Sequence, residues 1–182
     1  MTGRENEHMS DMQYRLMVLT MNVIDILFSH IEKRVAGFGI QQGMTIVDYG
    51  CGPGRYTVHY SRLVGRQGKV YAVDIHEMAI DLVRRKMERF GLDNVEPVLA
   101  QGYDSGLPDH VADLVTAIDL FFAIRDQQAF LAELKRIAKP DGTLILDDGH
   151  QPRSQTKTQI AAAGGWVIVA ETKDHLNLKP SG

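Results

Sequence analysis

Three glycines at alternate positions constrain the fold of this chain more than any other feature. They lie in the stretch VDYGCGPGRYT, after an apolar run typical of a buried strand and before a segment with helical periodicity. Glycine accepts positive φ and lets another molecule approach the backbone closely, so Gly50, Gly52 and Gly54 predict a ligand-binding loop between a strand and a helix. A turn without a ligand would need only one such glycine and is the weaker interpretation.

From residue 44 onward, short β-rich segments alternate with helical ones, which is the pattern of a parallel sheet covered by helices. The predicted strands are 45–49, 69–74, 95–100, 114–119 and 143–147, and the predicted helices are 56–64, 77–90 and 127–138. The C-terminal part adds a helix at 154–163 and strands at 166–172 and 175–179. We therefore expect an α/β fold: a Rossmann-like, doubly wound, mostly parallel sheet with a short antiparallel C-terminal strand.

Length and composition predict one globular domain. The chain has 182 residues, of which 44% are hydrophobic and 24% charged, enough for a sizeable core. We expect residues 44–182 to form this domain and residues 1–43 to form a tail and a helix. Apolar residues from Leu16 to Ile31 recur at helical steps, which favours a helix packed on the domain; a lid over the ligand and a membrane-surface contact are the alternatives. The apolar run is too short to span a bilayer.

Charge and cysteine content narrow the partners and the compartment. The net charge is −3, without a Lys/Arg stripe, so the sequence predicts no nucleic-acid partner. Cys51 is the single cysteine, which excludes an internal disulfide and a cysteine-rich zinc site and is consistent with a reducing compartment. The N-terminus has no secretory-signal pattern. We expect a cytoplasmic protein, and a homodimer stays open.

An acidic residue follows the glycine loop at a spacing that predicts contact with a bound ligand. Asp74 ends the second predicted strand, 20 residues beyond Gly54, where its carboxylate can accept hydrogen bonds from the two hydroxyls of a ribose. A dinucleotide would call for glycine at position 55, which is Arg55. The pair therefore indicates an adenosine-type ligand rather than a nicotinamide dinucleotide.

Four stretches in this order and spacing carry a family resemblance: VDYGCGPGRYT, VYAVDIHEMAI, DLVTAIDLFF and FLAELKRIAKPDGTLILDD. The chain resembles class I S-adenosylmethionine-dependent methyltransferases, and among them the small, single-domain kind similar to quinone-biosynthesis methyltransferases. The resemblance covers residues 44 to about 148. It implies that S-adenosyl-L-methionine is the cofactor.

The resemblance also implies roles for particular residues. The loop from Asp48 to Gly54 would hold the methionine and ribose parts of the cofactor, with Asp48 near the amino group. Asp119 would face the methionine end and the transferred methyl group. The implied cofactor-binding set is Asp48, Gly50, Cys51, Gly52, Gly54, Asp74, Ile75, Gln101, Gly102, Tyr103 and Asp119.

The adenine end departs from the family pattern. Ile75 would cover one face of the adenine. Family members usually carry an acid at the end of the third strand to contact the adenine amino group, but Gln101 stands there. Asp104 is the alternative for this contact.

The cofactor brings an activated methyl group, so the chain mainly has to align an acceptor and shape the electrostatics around it. The candidate catalytic residues are Asp119 and His150. His150, beyond the fifth strand, is a candidate general base, and a loop histidine without a catalytic role is the alternative. Asp119 with Asp147 or Asp148 resembles the acids that hold magnesium in catechol-type O-methyltransferases. That family has Asp-Asn where this chain has Asp-Asp, so we expect no metal.

Some acceptors are disfavoured by missing residues. The Asn/Asp-Pro-Pro-Tyr stretch of nucleic-acid amino methylation is replaced by IDLFF, and no Pro-Cys nucleophile is present. We therefore expect a metal-independent methyltransferase acting on a small molecule. A non-catalytic S-adenosylmethionine sensor or regulatory module and a magnesium-dependent O-methyltransferase are the alternatives.

Overall fold

The computed structural model describes residues 30–182, together with Ser10, Met12, Gln13 and Leu16. The first helix with described bounds is α1, His30–Ala36. The helix predicted from Leu16 onward lies mostly outside the described residues.

Within the described part of the chain, seven strands form one sheet. They are β1 Thr45–Tyr49, β2 Lys69–Asp74, β3 Val95–Leu99, β4 Ala112–Ala117, β5 Ala138–Leu146, β6 Trp166–Glu171 and β7 Leu176–Pro180. Their order is β3-β2-β1-β4-β5-β7-β6. The first five strands in this order, β3-β2-β1-β4-β5, pair in parallel, and β7 pairs antiparallel with both β5 and β6. The predicted mostly parallel sheet with an antiparallel C-terminal strand is confirmed.

Helices cover both faces of this sheet. After α1 come α2 Arg55–Val64, α3 Glu77–Phe90, α4 Gln127–Ile137 and α5 Arg153–Ala163. One apolar cluster joins the sheet to α4 and α5 through residues such as Phe130, Leu134 and Ile160. A second joins it to α1, α2 and α3 through residues such as Val35, Tyr60 and Val83. Successive strand residues alternate between these layers, which is the pattern of a doubly wound sheet.

Local hydrogen bonds mark where two of the helices begin. The Asp126 side chain accepts the Ala129 N–H at 2.9 Å at the start of α4. The His76 ring accepts the Met78 N–H at 3.2 Å at the start of α3, and Gly91 ends that helix with a φ of 63°. These three features satisfy backbone groups that a helix end leaves unpaired.

The segment after α4 differs from the sequence prediction. The predicted strand begins at 143, after a helix that ends at 138, but β5 begins at Ala138 and so includes Pro140 and Gly142. The pairing of β5 with β4 shifts register there, so the strand tolerates the missing N–H of proline. A Cβ at position 142 would lie 2.9 Å from the Lys139 carbonyl oxygen and 3.0 Å from that of Ala112, so the close approach requires glycine.

The order of strands reverses between β1 and β4, which are neighbours in the sheet. Ligands of doubly wound sheets bind outside the carboxyl ends of the strands at such a reversal. The loop after β1 and the loop after β4 therefore meet where a site is expected. No helix among the described residues is long and apolar enough to cross a membrane.

Leu144→Ala should destabilise the protein by about 2–5 kcal/mol, because the side chain is fully buried in β5 and its loss leaves a cavity. Leu63→Ala is the matched control, since Leu63 in α2 is 43% exposed and should change the stability by no more than about 0.5 kcal/mol. Denaturant unfolding of both variants measures the difference. Equal effects would contradict the described core.

Candidate functional site

The loop between β1 and α2 is held against the end of β2. The N–H groups of Gly50 and Cys51 both donate to the Val73 carbonyl oxygen, at 2.8 and 3.0 Å. Gly50, Gly52 and Gly54 have φ values of 74°, 51° and 74°, a region that favours glycine. The three glycines are therefore required by the shape of the loop itself.

Asp74 braces this loop with both oxygens of its carboxylate. Oδ2 accepts the Gly52 N–H at 2.8 Å, and Oδ1 accepts the His76 N–H at 2.9 Å. Burial raises the pKa of Asp74, while these two backbone donors act to lower it. A carboxylate offers about four acceptor positions, so about two stay available to a ligand.

A cavity of about 290 Å³ lies beside the loop and the Asp74 carboxylate. Its wall includes eight of the predicted residues: Gly50, Cys51, Gly52, Asp74, Ile75, Gly102, Tyr103 and Asp119. The wall also contains residues that the sequence did not single out, among them Tyr49, Tyr56, Leu120, Ile124 and Phe130. The cavity thus joins a polar, glycine-lined side to an apolar one.

Aromatic contacts fix the apolar side. The Tyr49 hydroxyl donates to the Tyr103 carbonyl oxygen at 2.6 Å, and the Tyr103 hydroxyl accepts the Asp126 N–H at 3.2 Å. The Phe130 ring packs edge-on against Tyr49 and Tyr103, with centroid distances of 5.4 and 5.9 Å. Because these rings are held by one another and by the backbone, the wall is preformed for a flat, apolar group.

Asp48 lies beneath the loop rather than on the cavity wall. Its side chain is buried and accepts the Thr57 hydroxyl at 2.6 Å and the Thr116 hydroxyl at 3.4 Å. Burial raises its pKa from 3.8 to about 6, against the lowering effect of these two hydroxyls. Asp48 therefore connects β1 to the first turn of α2 and to β4. Gly54, also in the predicted set, lies at the start of α2 and outside the cavity wall.

Neither Gln101 nor Asp104 lines the cavity. Their backbones bond each other across a tight turn, with N–H to oxygen distances of 2.9 and 3.2 Å. The Asp104 carboxylate accepts the Gly106 N–H at 2.8 Å. Gly102 and Tyr103, between them, line the cavity. In this structure neither proposed partner of the adenine amino group reaches the cavity.

Asp119 lies at the junction of two cavities. It lines the first cavity and also a second one of about 620 Å³. The second cavity is lined by Lys33, Arg34, Asp119, Asp147, Asp148, Gly149, Lys173 and Asp174. Asp119 has a φ of 56°, unusual for a residue other than glycine. A molecule in the charged second cavity would meet a molecule in the first one at this side chain.

The acids that follow β5 are paired with arginines. The Asp147 carboxylate accepts Arg34 Nη2 at 2.5 Å, and the Asp148 carboxylate accepts Arg153 Nε at 2.5 Å. Among the residues that the structure describes, no group of three His, Cys, Asp or Glu side chains could hold a metal ion.

His150 lines neither cavity. Its exposed ring packs edge-on against Phe122, with a centroid distance of 4.8 Å, and Phe122 lines the first cavity. One aromatic contact therefore separates the candidate base from the site.

Comparisons with known proteins show what this chain is similar to. A family model described as a methyltransferase domain matches residues 40–177. The chain is 33% identical over 115 residues to the ubiquinone/menaquinone biosynthesis C-methyltransferase UbiE of Escherichia coli O1:K1 / APEC, covering 63% of this chain and 46% of that protein. The chain thus spans about half the length of the curated relatives it matches.

Solved structures extend the likeness to the fold. A SAM dependent methyltransferase from Aquifex aeolicus is 29% identical, with a TM-score of 0.71 over 82% of this chain and 87% of that one. A putative S-adenosyl-L-methionine-dependent methyltransferase from Methanococcus maripaludis, 15% identical, superposes with a TM-score of 0.75 over 99% and 97% of the two chains. The second likeness shows the fold alone.

Asp48→Asn should stabilise the protein relative to the parent more at about pH 7.5 than at about pH 4.5. A buried acid whose pKa is raised to about 6 is protonated in the folded state but ionised in the unfolded state between about pH 4 and 6. The parent therefore loses stability as the pH rises through this window, and the neutral Asn does not. The expected difference between the two pH values is about 2 kcal/mol.

Thermal unfolding at the two pH values checks this, with Asp93→Asn, an exposed site, as control. If Asp48→Asn changes the stability equally at both pH values, Asp48 is not the buried acid described.

Proposed function

The chain belongs to the methyltransferase domain family, its cofactor is S-adenosylmethionine, and we propose that it transfers a methyl group to a small-molecule acceptor without a metal ion. The observation that carries this proposal is the position of Asp119, which lines both the glycine-loop cavity and the charged cavity. The first cavity would hold the cofactor, and the second would admit the acceptor.

The residues of the first cavity fit the cofactor. The two acceptor positions left on the Asp74 carboxylate match the two hydroxyls of a ribose. Ile75, Tyr103 and Phe130 offer an apolar wall for the adenine. The backbone of Gly50, Cys51 and Gly52 lies along the cavity without long side chains in the way, which suits the methionine part.

When bound, S-adenosylmethionine supplies a methyl group activated by a positively charged sulfur. The chain then has to orient the acceptor, exclude water and set the local charge. Asp119 would place a negative charge near the methionine end. His150 would remove a proton from a hydroxyl or amine acceptor, reaching the site past Phe122.

Metal independence is supported by the pairing of the acids after β5. Asp147 and Asp148 each hold an arginine guanidinium, so their carboxylates are engaged in ion pairs. A magnesium-dependent O-methyltransferase and a non-catalytic S-adenosylmethionine sensor are the alternative functions.

We propose that the protein is cytoplasmic and has no nucleic-acid partner, which the net charge of −3 and the single cysteine support. The match over residues 40–177 supports one catalytic domain over residues 44–182.

An acceptor screen with S-adenosylmethionine labelled in the methyl group tests the function. Quinone-type ring compounds are the first acceptors to try, because the name of the E. coli relative is that of a quinone-biosynthesis C-methyltransferase. A labelled, methylated acceptor that forms as the cofactor loses its methyl group supports the proposal. Tight cofactor binding without transfer to any small molecule would favour the sensor.

Asp74→Ala should weaken S-adenosylmethionine binding about ten- to a hundredfold, because hydrogen bonds to a charged acceptor contribute about 1.5–3 kcal/mol. Calorimetric titration measures the change. Asp81→Ala is the matched control, since Asp81 is exposed on α3 and away from the cavity. Unchanged affinity in an Asp74→Ala protein that melts like the parent would remove Asp74 from the ribose site.

His150→Ala should lower turnover about a hundredfold or more with unchanged cofactor affinity, because general bases typically contribute ~10²–10⁴ to the rate. Activity should persist in a chelator. Activity that is lost in the chelator and returns with Mg²⁺ would overturn the metal-free proposal. Full activity of His150→Ala would mean that positioning of the acceptor alone carries the transfer.

A further inference from the structure

Arg34 connects four elements around the charged cavity. From α1, its Nη1 donates to the Tyr56 hydroxyl in α2 at 3.0 Å. Its Nη2 donates to Asp147 Oδ2, just after β5, at 2.5 Å and to the Asp174 carbonyl oxygen, between β6 and β7, at 3.1 Å. The guanidinium side chain is 20% exposed, so these contacts are partly shielded from water.

Asp147 links Arg34 to the backbone of Asp119. Its side chain is only 5% exposed, and its second oxygen, Oδ1, accepts the Asp119 N–H at 2.8 Å. Burial and the nearby Asp119 carboxylate raise the pKa of Asp147, whereas Arg34 acts to lower it. Arg34 thus favours the ionised form of a buried carboxylate, which is the stronger acceptor for the Asp119 N–H.

The hydrogen bond from the Asp119 N–H acts at a residue whose backbone has a positive φ. Asp119 follows β4 with a φ of 56°, a conformation that a residue without special support rarely adopts. A fixed N–H at this residue restrains the direction of its Cα–Cβ bond and so limits the positions that its carboxylate can reach. That carboxylate lies where the two cavities meet.

We propose that Arg34 is a positioning residue for methyl transfer: acting through Asp147, it fixes the backbone of Asp119 and so limits where the Asp119 carboxylate lies at the junction of the cavities. This inference rests on the proposed function. A purely structural role, in which Arg34 only anchors α1, is the competing explanation.

Several charged groups besides Arg34 surround Asp147 and bear on any pH effect. They come from α1, α2, the segment after β4, the segment after β5 with α5, and the turn between β6 and β7. They are Lys33, Tyr56, Asp119, Asp148, Arg153, Lys173, Asp174 and His175. All of these residues are retained in an Arg34 variant, but Arg34 also lowers the pKa of Tyr56 and His175, so its loss raises those two pKa values together with that of Asp147.

The first test follows turnover in Arg34→Met and Arg34→Lys. Arg34→Met should lower kcat at least about tenfold at neutral pH while the affinity for S-adenosylmethionine stays within about threefold. Without the cation the pKa of Asp147 rises, so the acidic limb of the kcat profile should move to higher pH. Arg34→Lys keeps the charge and should show a smaller shift in the same direction.

Arg85→Met is the matched control, because Arg85 is exposed on α3 and lines neither cavity. Its kcat and pH profile should match the parent. If Arg34→Met lowers the melting temperature but leaves kcat and the pH profile unchanged, Arg34 is an anchor of α1 and the proposal is wrong.

A second measurement needs no turnover. In the parent, hydrogen exchange at the Asp119 amide should be slow, and in Arg34→Met it should be at least about tenfold faster, with no such change in Arg85→Met. An Asp119 amide that exchanges equally in all three proteins overturns the inference. A parent that transfers no methyl group to any acceptor contradicts the proposed function instead, so the two failures are distinguishable.

Discussion

The bond between the Asp74 carboxylate and the Gly52 N–H is the interaction on which the site depends. It ties the loop after β1 to the end of β2, with the Val73 carbonyl oxygen accepting two more N–H groups of the same loop. The Asp74 carboxylate therefore both accepts the bonds that shape the loop and carries the acceptor positions that we propose for a ribose. A change at Asp74 would alter the loop and the proposed ligand contact together, because this group is already part of the scaffold.

A second constraint couples this loop to the segment after β4. A Cβ at position 50 would lie 2.6 Å from Leu120 Cδ2, so the glycine allows the two loops to pack together. Asp119, one residue before Leu120, thereby lies beside the glycine loop although it is far away in the sequence. The geometry of the candidate site comes from contact between the ends of neighbouring parallel strands, which is the usual origin of sites in this fold.

The sequence predicted the parts of this structure that local patterns determine. Alternating β and helical segments located the strand ends to within two residues, except the start of β5, which lies at Ala138 rather than at 143. The predicted glycine loop and Asp74 do meet at the cavity, although the loop lines it through Gly50, Cys51 and Gly52 and not through Gly54. It did not predict that Asp48 faces Thr57 and Thr116 beneath the loop, because the direction of a side chain at a strand end depends on the neighbouring strand and helix. The ion pair of Arg34 with Asp147 joins residues 113 positions apart, and no spacing rule predicts such a contact.

Arg34 also affects where an N-terminal truncation of this protein can begin without changing the candidate site. The sheet and its connecting helices begin at β1, so a boundary drawn from the secondary structure alone would fall at about residue 44. The guanidinium that pairs with Asp147 comes from α1, before that boundary. A chain cut there would keep every strand and the glycine loop, yet it would leave the carboxylate beside Asp119 without its cation. The fold and the proposed arrangement around Asp119 therefore have different N-terminal limits.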